Sequence, residues 1–186
     1  MADSLIPTSA NERRARARPA FRQARREDER VRLLGQPVDL VRPEEVMLHL
    51  ARHIRDGRRT VVANHNLHSL YLVRRSPEMQ AFYAAADLIQ VDSWPLLAFA
   101  RRLGLRGRAF HRCTYLDWRG HFWSLADREG WRVMAVGGAP GVGETAARRL
   151  GERYPEANIR TRYGFFDISP GSAENAAVLA EVAAFR

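Results

Sequence analysis

Two polar clusters follow short apolar runs and could supply acid–base and hydrogen-bonding chemistry. Asp92 comes directly after the run 88–91, and a carboxylate at the end of a strand can act as a general base toward a hydroxyl group. The segment 64–69 (NHNLHS) follows the β-branched run 60–63, and its amides and imidazoles can bind hydroxyl groups or phosphate oxygens. Each cluster also fits a simpler role, because asparagine, aspartate and serine are favoured at helix N-caps.

Three further segments have residue types that suit a phosphorylated substrate. Arg112 could bind a diphosphate in a bidentate manner, with Thr114 and Asp117 close by in the chain, although Asp117 could equally cap the next helix. The glycine-rich turn 137–143 lies between a predicted strand and a predicted helix, where backbone amides can meet a phosphate, but it matches neither GxGxxG nor a lysine-containing phosphate loop. The aromatic segment 163–166 suits a wall for a nucleobase or sugar, and equally suits core packing. The candidates in these last two segments are Gly137, Gly138, Tyr163, Gly164 and Phe165.

Strands and helices alternate along the chain, and this order must position those residues. A small hairpin or a bent strand is predicted across residues 31–41, and Pro43 with two following glutamates indicates a helix start. Later strands are predicted at 60–63, 88–91, 132–136 and 158–162, with helices between them. We therefore expect a Rossmann-like α/β fold, a parallel sheet with helices on both faces, whose ligands bind at the carboxyl ends of the strands.

The composition is typical of one globular domain preceded by a charged tail. The chain has 186 residues, of which 46% are hydrophobic, and its formal net charge of +9 comes entirely from arginine, which favours anionic partners. Residues 1–30 are arginine-rich without an apolar face, so we expect a disordered tail that is either merely solvated or in contact with an anionic membrane. Residues 31–186 are expected to form a single α/β domain. The single cysteine, Cys113, fits a reducing cytosol, and no set of side chains has metal-ligand spacing, so no metal is expected.

Taken in order, the clusters resemble the WecG/TagA/CpsF family of glycosyltransferases. The resemblance covers residues 31–167, and the ordered combination is more specific than any one piece. The matching stretches are Gly35 to Asp39, Asn64 to Asn66, Ala86 to Leu88 with Asp92-Ser93, Arg112 to Asp117, Gly137 to Gly143, and Tyr154-Pro155 with Tyr163 to Phe166.

The resemblance implies an activity and a role for each matching residue. It implies transfer of a sugar, often of the N-acetylmannosamine type, from a UDP-sugar to a polyprenyl-diphosphate-linked acceptor. The product would be a bacterial surface polysaccharide, exopolysaccharide or teichoic-acid linkage unit, made at the inner face of the cell membrane. Asp92 would be the catalytic base, Asn64 and Asn66 would line the sugar pocket, Arg112 would bind the diphosphate, and the turn 137–143 would approach the nucleotide. The oligomeric state stays open.

Departures from the family pattern leave the donor and the acceptor open. Asn64 stands for a threonine, and Ser93 and Tyr115 each stand for a glycine. The chain also ends within a helical pattern at 181–186, where the family continues with a strand, a Gly-x-Pro-x-Gln-Glu motif and a basic membrane-contacting tail. We therefore expect the family fold without its last part, and predict that the isolated 186-residue chain is inactive or poorly stable.

Two other functions compete with this interpretation. A non-catalytic nucleotide-binding module would carry an acidic residue about 20 positions after the glycine turn, and Glu156 and Asp167 are poorly spaced for that role. A nucleic-acid-binding protein would interleave aromatic residues with arginine, whereas the tail contains only Phe21. We expect no specific nucleic-acid partner.

Overall fold

The structure is a computed structural model that describes residues 30–185, and it belongs to the mixed α/β class predicted from the sequence. About half of the described residues are helical. The strands are β1 (Arg30–Leu33), β2 (Gln36–Asp39), β3 (Val62–His65), β4 (Leu88–Val91), β5 (Arg132–Val136) and β6 (Asn158–Arg162). The helices are α1 (Pro43–Arg55), α2 (Leu67–Val73), α3 (Pro77–Ala84), α4 (Trp94–Arg102), α5 (Tyr115–Arg128), α6 (Val142–Arg153) and α7 (Ala173–Ala184), with a short 3₁₀ turn at Ala109–His111.

Contacts divide the chain into two compact units, one ending at His121 and the other beginning at Phe122. In the first unit β1 and β2 pair antiparallel and β3 and β4 pair parallel, whereas in the second unit β5 and β6 pair parallel. Within residues 30–185 these remain two-stranded sheets, and the extended Rossmann-type sheet predicted from the sequence is not formed. The predicted tail, residues 1–30, lies outside the described residues except for Arg30.

The predicted hairpin near the start is confirmed. Its turn is made by Leu34 and Gly35, whose φ angles of 52° and 83° both lie in the left-handed region, as a tight two-residue hairpin turn requires. Leu33 and Val38 point inward and join a core cluster with residues of β4, α2 and α4. The other buried members of that cluster are Leu40, Leu70, Val91, Leu96, Leu97 and Ala100.

A buried carboxylate joins the hairpin to the central strand of the first unit. Asp39 is fully buried, and its two oxygens accept hydrogen bonds of 2.9 Å each from Nε and Nη2 of Arg30. Oδ2 also accepts the backbone N–H of Ile89 at 2.7 Å, in the middle of β4. Because β4 leads directly to Asp92, this link fixes the strand that carries the candidate base.

The start and the end of α1 follow from local chemistry. Pro43 occupies the first turn, and the side chain of Glu45 accepts the N–H of Arg42 at 2.9 Å, which closes the N-terminus. At the other end Gly57 has a φ of 64°, and the N–H of Arg58 reaches the carbonyl of His53 at 2.8 Å. The sequence prediction of this helix is confirmed.

One predicted strand lies two residues further along the chain than expected. The sequence predicts a strand at 60–63, whereas β3 is Val62–His65 and pairs with the whole of β4, Asn64 opposite Gln90 and His65 opposite Val91. The buried partner strand therefore decides the register, although Asn64 and His65 are poor strand residues by propensity. As a result Asn64 belongs to the sheet itself and not to the loop that follows it.

The second unit has its own core beneath β5 and β6. Trp123, Ala126, Tyr154 and Ala157 are buried together, and Phe122, Trp131, Val133, Leu150 and Ile159 pack against them. The carboxylate of Asp127 accepts the N–H of Glu156 at 2.9 Å and so ties α5 to the turn before β6. The sequence prediction of both strands, at 132–136 and 158–162, is confirmed.

Candidate active site

Asn64 and Asp92 meet at the carboxyl end of the parallel pair β3–β4. The amide Nδ2 of Asn64 donates a hydrogen bond of 3.1 Å to Oδ2 of Asp92. The backbone supports this approach, because the N–H of Asp92 donates to the carbonyl of His65 at 2.9 Å. The hydroxyl of Tyr83 donates to the carbonyl of Asn64 at 2.7 Å. The structure therefore brings together two of the residues that the sequence singled out, 28 positions apart in the chain.

The surroundings of Asp92 favour a carboxylate that can take up a proton. Burial raises the pKa of Asp92 above its ordinary value, and the negative charge of Asp117 raises it further. The positive charge of Arg112 and the hydrogen bond from Asn64 lower it in part. A half-buried carboxylate whose pKa is raised is a stronger base than an exposed aspartate, which is what general-base catalysis requires.

A third parallel segment places Arg112 beside this pair. Arg112 forms an isolated parallel bridge with Val91, and the N–H of Cys113 donates to the carbonyl of Val91 at 2.8 Å. The guanidinium Nη2 of Arg112 donates to Oδ1 of Asp117 at 2.7 Å, and its centre lies 5.5 Å from the centroid of the Trp94 ring. An ion pair on one side and a cation–π contact on the other restrict the orientation of the guanidinium group.

Asp117 binds both Arg112 and the start of α5. It is fully buried, and its Oδ2 accepts the N–H of Thr114 at 3.1 Å, so it caps the first turn of α5 while it binds Arg112. Thr114 is also buried, and its hydroxyl oxygen has no hydrogen-bond partner among residues 30–185. Cys113 is fully buried, and burial raises the pKa of its thiol well above the ordinary value, so its thiol stays protonated at neutral pH.

In the polar segment 64–69, Asn64 belongs to the site, whereas Asn66 and His65 stabilise the surrounding structure. Asn66 caps α2, because its side chain accepts the N–H of Ser69 at 2.9 Å, which is the simpler of the two roles considered from the sequence. His65 is fully buried, hydrogen-bonds Oγ of Ser69 through Nδ1 at 2.9 Å and stacks on Tyr83 with ring centroids 3.8 Å apart. Burial lowers the pKa of His65 to about 4, so the ring is neutral at physiological pH. Its connection to Asn64 runs through Tyr83, which stacks on the His65 ring and donates to the carbonyl of Asn64.

Tyr83 and Trp94 were not predicted from the sequence as part of this site. Tyr83 lies in α3 outside any polar motif, and only its contacts with Asn64 and His65 identify it. Trp94 follows Asp92-Ser93 at the start of α4, and only its contact with Arg112 identifies it. No local pattern reveals either role, because both depend on residues that are distant in sequence.

In the second unit, the glycine turn and the aromatic segment lie together at the carboxyl ends of β5 and β6. The N–H of Gly137 donates to the carbonyl of Arg162 at 2.9 Å, and the N–H of Gly164 donates to the carbonyl of Gly138 at 2.9 Å. A side chain on Gly164 would place its Cβ 2.7 Å from Cα of Gly137. The glycine at 164 is therefore required for the two segments to approach this closely.

Exposed rings flank this glycine contact. Phe165 is 76% exposed, and Tyr163, about one third exposed, lies beneath the guanidinium group of Arg162, at 4.8 Å from its ring centroid. Of the two uses considered for this segment, core packing does not describe Phe165. The five candidates of this region, Gly137, Gly138, Tyr163, Gly164 and Phe165, thus form one cluster.

Replacing Gly164 by alanine is expected to destabilise the second unit by about 1–3 kcal/mol, because the new methyl group must displace the backbone of Gly137. Urea-induced unfolding measures the change. Gly151→Ala in α6 is the matched control, since a Cβ there meets no atom within 4 Å and alanine is the better helix former by about 0.5–1 kcal/mol. Equal stability of the two variants would contradict the close approach.

Between residues 30 and 185, no group of three or more histidine, cysteine or carboxylate side chains could hold a metal ion. None of the helices in that range combines the length and the apolar character needed to cross a lipid bilayer.

Comparison with known proteins supplies the family. No curated protein sequence matches the chain. The family described as "Glycosyl transferase WecG/TagA/CpsF family" matches residues 31–186, which include the Asn64–Asp92–Arg112 site and the glycine–aromatic cluster. Family membership indicates a glycosyltransferase that acts on a sugar donor and an acceptor. The chain belongs to the WecG/TagA/CpsF family of glycosyltransferases.

Proposed function

We propose that this protein transfers a sugar, of the N-acetylmannosamine type or a related hexose, from a UDP-sugar to a polyprenyl-diphosphate-linked acceptor. The observation that carries the proposal is the half-buried Asp92, held by Asn64 at the carboxyl end of parallel strands with Arg112 beside it. A base, a polar hydrogen-bonding group and a restrained cation are what a hydroxyl nucleophile and a diphosphate-bearing substrate need.

The proposed reaction uses one oxygen of Asp92. Asn64 binds Oδ2, and we assign the proton transfer to Oδ1. As the acceptor hydroxyl gives its proton to Asp92, its oxygen forms a bond to the anomeric carbon of the donor sugar. The bond between that carbon and the diphosphate oxygen breaks, and UDP leaves with the electron pair. The raised pKa of Asp92 favours the proton transfer.

Arg112 is proposed to bind diphosphate oxygens. A guanidinium group presents its N–H donors in a planar fork that matches both carboxylate and phosphate oxygens, and Asp117 holds that fork in a fixed orientation. Asp117 acts as a positioning residue, because it holds the guanidinium group from a fully buried place. Asn66, which caps α2, would reach substrate only through its remaining amide donors.

The glycine–aromatic cluster of the second unit is proposed to bind the nucleotide. Its turn precedes the N-terminus of α6, where backbone N–H groups favour phosphate, and the exposed ring of Phe165 can stack on a base. Gly137 and Gly138 let the backbone approach the ligand closely, as glycine does in other phosphate-binding turns.

The fold pattern, the cellular location and the pathway are part of the same proposal. We propose that the strands and helices of each unit follow a Rossmann-like α/β pattern, supported by the parallel pair in each unit and by the additional bridge from Val91 to Arg112 in the first. A polyprenyl-linked acceptor requires peripheral contact with the inner face of the cell membrane and a role in bacterial surface or exopolysaccharide synthesis. No metal is assigned to the reaction, because the proposed diphosphate partner is Arg112.

The test is sugar transfer by this protein from a panel of UDP-sugars to a short polyprenyl-diphosphate-GlcNAc analogue. Transfer from one donor, with release of UDP, would establish the activity and identify the sugar. A folded protein that binds UDP but releases none from any donor would favour the non-catalytic nucleotide-binding module instead.

A further inference from the structure

The carboxyl edge of the first unit has an apolar rim around its polar centre. Each of the three parallel segments is followed within four residues by a large apolar side chain that is about half exposed: Leu67 after β3, Trp94 after β4, and Tyr115 and Leu116 after the Arg112 bridge. Because carboxyl ends of parallel strands share one edge of a sheet, these side chains belong to the same edge as the Asn64–Asp92 pair. Exposed apolar side chains clustered around a polar site indicate a binding surface rather than ordinary surface scatter.

Helix α4 extends this rim along its outer side. Leu96, Leu97 and Ala100 are buried against the core, and Phe99 and Leu103, exposed by 39% and 55%, lie four residues apart along one flank of the helix. Arg101 and Arg102 are exposed on the same helix. We call Trp94, Phe99, Arg101, Arg102 and Leu103 the α4 face.

The segment that contains the α4 face carries charged residues of a single sign. From Ser93 to Leu116 the sequence has no acidic residue, while it has five arginines, at positions 101, 102, 106, 108 and 112. Of these, Arg106 and Arg108 are exposed like the two on the helix. Exposed aromatic and aliphatic side chains mixed with arginine are the pattern of helices that lie at the surface of an anionic bilayer.

We propose that the α4 face docks on an anionic lipid bilayer and so brings Asp92, two residues before Trp94, to the bilayer surface. The inference rests on the proposed function, because a lipid-linked acceptor would extend from the bilayer toward this base. Apolar side chains enter the headgroup boundary and arginines bind lipid phosphates. The partner is the bilayer surface itself and not a protein or a nucleic acid.

The experiment is co-sedimentation of the complete chain with vesicles, without any sugar nucleotide. Mixed phosphatidylglycerol–phosphatidylcholine vesicles are compared with pure phosphatidylcholine vesicles. We expect Phe99→Ser with Leu103→Ser to weaken binding to the anionic vesicles about tenfold or more, since two side chains no longer enter the interface. Arg101→Gln with Arg102→Gln should also lower it about tenfold or more and abolish the preference for anionic lipid.

The matched control is Ile54→Ser with Phe82→Ser. These side chains are exposed by 48% and 46%, close to the values on the α4 face, but lie in α1 and α3. Arg55→Gln with Arg59→Gln controls for the loss of charge, since both arginines are exposed and precede β3. Binding that falls equally in test and control variants would overturn the docking surface. So would unchanged vesicle binding accompanied by a change of oligomeric state in light scattering, which would make the face a contact between copies of the chain.

Vesicle binding and sugar transfer can fail separately. Selective loss of vesicle binding in the α4-face variants, with no transfer by any protein, would support the surface and refute the proposed activity. Transfer to a water-soluble acceptor should be unchanged in Phe99→Ser with Leu103→Ser, because neither side chain belongs to the site. Normal vesicle binding by that variant, with transfer intact, would refute the surface and leave the activity standing.

Discussion

Replacing Asp92 by asparagine is expected to reduce sugar transfer by a factor of about 10²–10⁴, the range over which general bases contribute to catalysis. The amide has nearly the shape of the carboxylate, and its oxygen can still accept the hydrogen bond from Asn64, so the site should stay folded. What is lost is the ability to take the proton of the acceptor hydroxyl. The measurement is kcat for transfer, together with the Kd for UDP, which should change little.

The control for this prediction is Asp56→Asn. Asp56 is an exposed carboxylate that pairs with Arg58 at the surface. It lies in the same unit as Asp92. We expect its replacement to leave kcat within about twofold, as surface substitutions usually do. Near-normal turnover by the Asp92→Asn protein, with thermal unfolding unchanged, would remove Asp92 from the role of base.

The pH dependence gives the same prediction a second readout. A base works only when it is deprotonated, so kcat/KM should fall as the pH falls through the pKa of Asp92, which burial has raised. The positive charge of Arg112 lowers this pKa, so Arg112→Gln should move the acid limb to higher pH in addition to weakening transfer. If the pH at which kcat/KM falls is the same in Arg112→Gln and in the unchanged protein, Arg112 does not act on Asp92 electrostatically.

The local parts of the fold were predictable from the sequence because their signals are local. Helix α1 was predictable because Pro43 and its acidic first turn define its start. Strand β4 was predictable because a short, mostly apolar run stands between Asp87 and Asp92. Adjacency of Asn64 and Asp92 follows from one rule, that carboxyl ends of neighbouring parallel strands meet at one edge. Assigning the two strands therefore predicts half of the site.

The rest could not be predicted, because it depends on distant partners. The register of β3 is set by hydrogen bonds to β4, which moved the strand past Ala63 to His65. The burial of His65 depends on the ring of Tyr83, and the fixed orientation of Arg112 depends on Asp117 and Trp94. Nor does the alternation of strands and helices reveal how many strands join, and among residues 30–185 they join only in pairs.

Replacing Asp39 by alanine is expected to destabilise the first unit by about 1–3 kcal/mol. It leaves the guanidinium group of Arg30 without its bidentate partner and removes the acceptor of the Ile89 N–H inside the core. An unpaired buried N–H alone costs about 1–3 kcal/mol. Because Ile89 lies in β4, three residues before Asp92, transfer activity should fall together with stability.

A second ion pair in the same unit serves as the control, because its carboxylate is exposed. Asp56 and Arg58 approach to 2.8 Å, as closely as Asp39 and Arg30 at 2.9 Å, but the Asp56 side chain is 50% exposed and that of Asp39 is 0% exposed. Asp56→Ala should therefore cost no more than about 1 kcal/mol, since water screens an exposed pair. Urea-induced unfolding of the two alanine variants and of Arg30→Ala, combined in a double-mutant cycle for Asp39 and Arg30, measures the difference. If Asp39→Ala lowers the free energy of unfolding no more than Asp56→Ala does, burial does not strengthen the contacts of Asp39. The hairpin then does not hold β4 in place.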